Sequence, residues 1–120
     1  MRRDLDLIRL IILEVESQPT GYMMGDLQIE GYTKDQVSYH SYLIVDSGLA
    51  QGIEITSMDD TSPNWKILHL TSAGHDFAEA ARNDSVWQKA VAFTTRNAGT
   101  AVIEVFRQVL VETVKQNAGL

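Results

Sequence analysis

The sequence predicts an α+β chain, mostly helical, in the order helix, short strand, helix, β-hairpin and three further helices. Three observations carry that reading. Thr33-Lys34-Asp35-Gln36 is a capping box, apolar residues recur at helical spacing from there to Gly48, and two short alternating runs flank the turn-rich stretch 57–64. At 120 residues with no cysteine, the chain can bury a core without disulfides or thiolate-bound metal.

The first helix spans 4–17. Asp4 is its N-cap, Leu5, Ile8, Ile12 and Val15 recur at helical spacing, and Leu7, Leu10, Ile11 and Leu13 widen that face. A helix so apolar is expected to be covered on more than one side. Pro19 and Gly21 stop it. Within 22–29, Leu27 and Ile29 alternate with Gln28 and Glu30, the pattern of a short strand.

The helix opened by the Thr33 box turns Val37, His40, Leu43 and Ile44 inward and ends at Gly48, where Leu49 folds back on the last turn. Ile53 and Ile55 alternate with Gly52, Glu54 and Thr56 as one strand; 65–70 is its partner, across Ser-Met-Asp-Asp-Thr-Ser-Pro-Asn. Thr71 caps a helix to about residue 82. Ser85-Val86-Trp87-Gln88 reads as a second capping box, opening a helix to about residue 96, and Thr100 caps a last one to about residue 116. Helix, short strand, helix, hairpin, helix is the order of a winged-helix-like unit, here over 1–82, with two additional C-terminal helices over 83–120 in one domain overall. One departure stands out. No amphipathic helix of ordinary length separates the first helix from the Thr33 helix.

Several motifs recur together: Arg2-Arg3-Asp4-Leu5-Asp6-Leu7-Ile8-Arg9, Glu30-Gly31-Tyr32, Val37-Ser38-Tyr39-His40 running to Gly48-Leu49, Leu70-Thr71-Ser72-Ala73-Gly74-His75-Asp76-Phe77, and Asp84-Ser85-Val86-Trp87. On these the chain resembles, nearly end to end, the bacterial and phage family catalogued as domain of unknown function 2513. The resemblance supports the winged-helix-like fold. It names no activity, so no catalytic residue is carried over from it.

Charge bears on function. The formal net charge is -6, whereas nucleic-acid binders ordinarily carry a basic patch. In a DNA-binding winged helix, the Thr33 helix would enter the major groove, with Lys34, Gln36, Ser38 and Ser41 reaching DNA and the 57–64 tip touching the minor groove or backbone. Over 33–66, however, Lys34 and Lys66 stand against Asp35, Asp46, Glu54, Asp59 and Asp60, a net of three negative charges. Two readings follow. One is a transcription-regulator-like protein meeting double-stranded DNA; the other is an acidic interaction module that has kept the scaffold and engages a basic protein partner.

Chemistry-bearing clusters are sparse. His69, His75 and Asp76 are the one grouping suggestive of metal or acid–base work, but neighbours on a helix diverge by about 100°. No metalloprotease, EF-hand, P-loop or nucleophile-elbow motif occurs. The expectation is a chain that is not an enzyme and uses no cofactor or metal. Tyr32, Tyr39 and Tyr42 beside His40 read as packing aromatics, and Trp87 as a core anchor. The excess apolar surface on the first and last helices predicts a homodimer, with Leu10, Leu13, Phe106 and Leu110 at its interface. The longest apolar run is far too short to span a bilayer, so no membrane partner is expected and the cytoplasm is the expected location.

Overall fold

A computed structural model of the chain describes residues 1–98, with side chains to residue 92. The chain divides into two compact units, Met1–His75 and a second beginning at Asp76, so the division falls earlier than the one read from sequence. In order, the elements are α1 (Leu5–Glu16), α2 (Lys34–Asp46), β1 (Ala50–Glu54), β2 (Trp65–Leu70), α3 (Ser72–Ala81) and α4 (Asp84–Ala98). This is an α+β chain, about half helical, whose order is compatible with the helix, hairpin, helix arrangement expected.

In the first unit, Asp4 caps α1 by accepting the Leu7 N–H at 3.2 Å on Oδ1. Leu7, Ile8, Ile11, Ile12 and Val15 of α1 are buried, and with Val37, Ile44, Leu49, Ala50, Ile67 and Leu70 they form the core of this unit. Burial is concentrated on one broad face of α1. Leu10 lies off that face and is 41% exposed.

α2 begins and ends as its sequence dictates. Thr33 Oγ1 accepts the Gln36 N–H at 3.1 Å, and Gln36 Oε1 accepts the Thr33 N–H at 2.8 Å. At the other end Gly48 takes φ +83°, a left-handed conformation that glycine adopts without strain. The Leu49 N–H then donates to Ile44 O and the Gly48 N–H to Val45 O, the paired bonds of a Schellman close.

β1 and β2 pair antiparallel, with Glu54 opposite Trp65, Ile53 opposite Lys66 and Gly52 opposite Ile67. Gln51 faces His69, so Leu68 is an extra residue on β2 and the ladder bulges there. β1 starts at Ala50, earlier than the alternation over 53–56 suggests. Ile53 and Ile55 are about half exposed, because a two-stranded ribbon has only one covered face.

The short strand expected within 22–29 is reduced to a single bond, from the Met23 N–H to Leu68 O at 2.8 Å. No ladder follows. Gly25, at φ +76°, turns the chain off the sheet edge straight after Met24. The first unit closes at the start of α3, where Thr71 Oγ1 accepts the Gly74 N–H at 3.1 Å and donates to Gly48 O at 2.6 Å.

In the second unit, α4 is capped by Asn83, whose Oδ1 accepts the Val86 N–H at 3.0 Å. The Ser85–Gln88 capping box read from sequence is therefore corrected: Asn83 competes successfully for the orphan donors and starts the helix before Ser85. Trp87 is fully buried and meets Phe77 edge-on, with ring centroids 5.9 Å apart. The helix predicted over 100–116 lies outside the described residues.

Gly74 sits where α3 crosses the Leu49 backbone, and a Cβ there would run into the Leu49 carbonyl oxygen. Backbone cannot step aside as a flexible side chain can. Gly74→Ala is expected to destabilise the chain by about 2 kcal/mol or more, read as a lower denaturant midpoint with an unchanged slope.

Candidate functional site

The N-terminal half of α2 and the loop over 55–64 are tied together. Ser38 Oγ donates to Asn64 Oδ1 at 3.0 Å, and Thr61 Oγ1 donates to Asp35 Oδ2 at 3.1 Å. The loop is also knit internally. The Ser57 N–H donates to Asp60 Oδ2 at 2.8 Å, and the Asn64 N–H donates to Thr56 Oγ1 at 2.9 Å. These bonds make the hairpin tip a shaped feature lying over the start of α2. The Asp60 carboxyl is held below its ordinary pKa, first by the Ser57 backbone donor and in part by the Lys34 ammonium.

Of the four residues expected to reach DNA, two are turned inward. Ser41 is 2% exposed and donates its hydroxyl to Val37 O; Ser38 is 9% exposed and spent on Asn64. Serines at these positions share the helix face that carries Val37 and Ile44; the loop supplies the partner of Ser38, and the Val37 carbonyl that of Ser41. Gln36 is half-buried and occupied by the capping box. Lys34 alone is exposed, beside Asp60.

Among the residues expected at a dimer interface, Leu10 is exposed and Leu13 half-buried; Phe106 and Leu110 lie outside the described residues. His69 directs Nδ1 at Leu70 O, 2.9 Å away, while His75 and Asp76 are both exposed. Among the described residues no three His, Cys, Asp or Glu side chains are grouped to hold a metal. No described helix is long and apolar enough to cross a membrane.

Beside α2 the structure opens a groove of roughly 770 Å³. One wall is the stretch 25–32, the other is β2 from Trp65 to Ile67, and the floor is Val37, Ser38 and Ser41 of α2. Asp26, Glu30, Lys34 and Lys66 supply its charges. Tyr42 stacks at an angle against Trp65 at 5.7 Å and against Tyr39 at 5.8 Å, an aromatic line joining α2 to β2.

The model of a family described as "Hypothetical protein (DUF2513)" matches residues 2–101. The chain belongs to the DUF2513 family. An uncharacterized protein of Haemophilus influenzae (strain Rd) is 38% identical over 90 residues, covering 72% of this chain and 73% of that one. No solved structure matches.

Two residues of this DUF2513 chain that the sequence does not mark as a pair hold the site in place. His40 is 1% exposed and accepts the Asp4 N–H on Nε2 at 2.8 Å, so its proton resides on Nδ1, which donates to Gln36 O at 2.8 Å. One imidazole thus joins the α1 cap to the second turn of α2. Beside it the Tyr32 phenol has a pKa raised above 10.0, by burial first and then by the Asp4 carboxylate. The bond between Asp4 and His40 joins residues 36 apart in sequence, which is why spacing alone does not show it.

His40→Ala leaves the Asp4 N–H without a partner and opens a cavity. It is expected to cost about 3 kcal/mol in urea denaturation. For Tyr32, the folded pKa lies above the unfolded one, so its contribution is complete below pH 10 and lost as pH rises through the folded value. Tyr32→Phe is therefore expected to flatten the fall in stability above pH 10, read by denaturation at stepped alkaline pH.

Proposed function

We propose that this chain is a non-catalytic interaction module on a winged-helix-like scaffold, whose acidic hairpin and α2 face engage a basic surface of a partner protein. The observation that carries this reading is the tie between the hairpin tip and α2. Where a DNA-reading helix needs outward polar side chains, Ser38 and Ser41 are buried, Gln36 is committed to its cap, and Lys34 shares its charge with Asp60. The tip presents Asp59 and Asp60 with no Lys or Arg to meet a phosphate.

The element order itself favours a second reading, a transcription-regulator-like protein bound to double-stranded DNA through Lys34 and the arginine-bearing N-terminus. Self-association through Leu10 is compatible with both roles, since that leucine is the large apolar side chain of α1 most open to solvent.

A salt-titrated gel shift separates the two. With the full chain, neither duplex from its own upstream region nor random duplex is expected to be retarded, even at low ionic strength. A retarded band that weakens steeply with added salt would overturn the interaction-module reading in favour of the regulator.

A further inference from the structure

The outer edge of β2 is open along the groove. The Ile55 N–H donates to Asn64 O at 2.8 Å, so Asn64 directs its backbone groups toward β1. In an antiparallel ladder this direction alternates. Lys66, opposite Ile53, also faces β1, as the approach of its carbonyl oxygen to the Gly52 position shows. Trp65 and Ile67 must then direct their N–H and C=O groups the other way, into the groove. Beyond them the Leu68 carbonyl is taken by Met23, and Gly25 turns the chain aside. Neither Trp65 nor Ile67 has a backbone partner on that edge among the described residues.

The groove beside this edge has the chemistry of a strand-binding channel. Ile67 and Val37 are buried at its base, and Leu27 and Ile29 are half-buried on the facing wall. An extended guest would lay alternate apolar side chains against these residues. The side chains between them would pass Asp26 and Glu30, both exposed on the wall. Two cations also line the groove: Lys34, which already lies in the field of Asp60, and Lys66 on β2 itself.

We propose that the β2 edge at 65–67 is a docking site for an extended segment of a partner protein, alternating apolar and basic residues, which adds a third strand to the ribbon. Main-chain hydrogen bonds to Trp65 and Ile67 hold such a guest, and its basic side chains pair with the exposed Asp26–Glu30 wall, across the groove from Lys66 on β2. The proposal deepens the interaction-module reading and rests on it, since both require a basic partner.

The test uses the full chain and a short fluorescein-labelled peptide alternating valine and lysine. Its counterparts carry glutamate in place of lysine, or N-methylated amides that cannot donate. Anisotropy is expected to show the lysine peptide binding at least about tenfold more tightly than the glutamate peptide, and no binding of the N-methylated form. Amide exchange at Trp65 and Ile67 is expected to slow by about tenfold on binding. Lysine-peptide binding that leaves those two amides unchanged would overturn the docking site while preserving the basic-partner reading. Failure of the lysine peptide to bind at low salt removes the docking site, and the gel shift then decides the wider reading. Slow exchange at both amides in the free chain would also overturn it, because residues 24–30 would then already cover the edge.

Discussion

The first unit is organised around the burial of α1. Leu7, Ile8, Ile11 and Ile12 have no exposure at all, and each element of the unit that contributes to the core meets that apolar stripe or one another around it. Removing such area from water is worth about 25 cal/mol per Å², non-directionally, and so does not by itself fix how α2 lies on α1. Direction comes from His40. One nitrogen donates to Gln36 within α2 and fixes the ring, and the other accepts from Asp4 and ties α2 to the α1 cap. The hydrophobic term supplies the driving force and the imidazole supplies the register.

That placement determines what α2 can offer. Once His40 and Ile44 face α1, the geometry of a helix puts Ser38 against the hairpin loop, while Ser41 is buried and bonded back to Val37 O. A helix satisfied on both flanks has little left to present. The acidic loop, the aromatic line from Tyr39 through Tyr42 to Trp65, and the groove beside β2 are the features that remain available to a partner.

Much of the architecture is legible in the sequence because it is encoded locally. Thr33 and Gln36 announce the start of α2 within four residues, Gly48 and Leu49 announce its end, and Thr71 caps α3 as its position suggests. The hairpin follows from its two apolar runs. What stays hidden depends on partners distant in the chain. Nothing near Ser38 reveals that Asn64 will bond it 26 residues later, and nothing near Asp4 reveals His40. The strand pattern of Leu27 and Ile29 is real in composition, but Gly25 steers it away from β2, a conformational effect that alternation cannot express. At α4 the sequence pattern points to the Ser85 box, and the cap falls instead two residues earlier, on Asn83.

The Leu68 bulge constrains how this ribbon can change over time. Because that one additional residue lets β2 serve β1 on one side and Met23 on the other, deleting it would regularise the ladder and remove the carbonyl to which the Met23 N–H is bonded. Residues inserted near Met58, whose side chain is wholly in solvent, would disturb no such alignment. Added length at the tip would open the Ser57–Asp60 turn but leave the ladder intact, whereas the base is held to fixed length by the pairing itself.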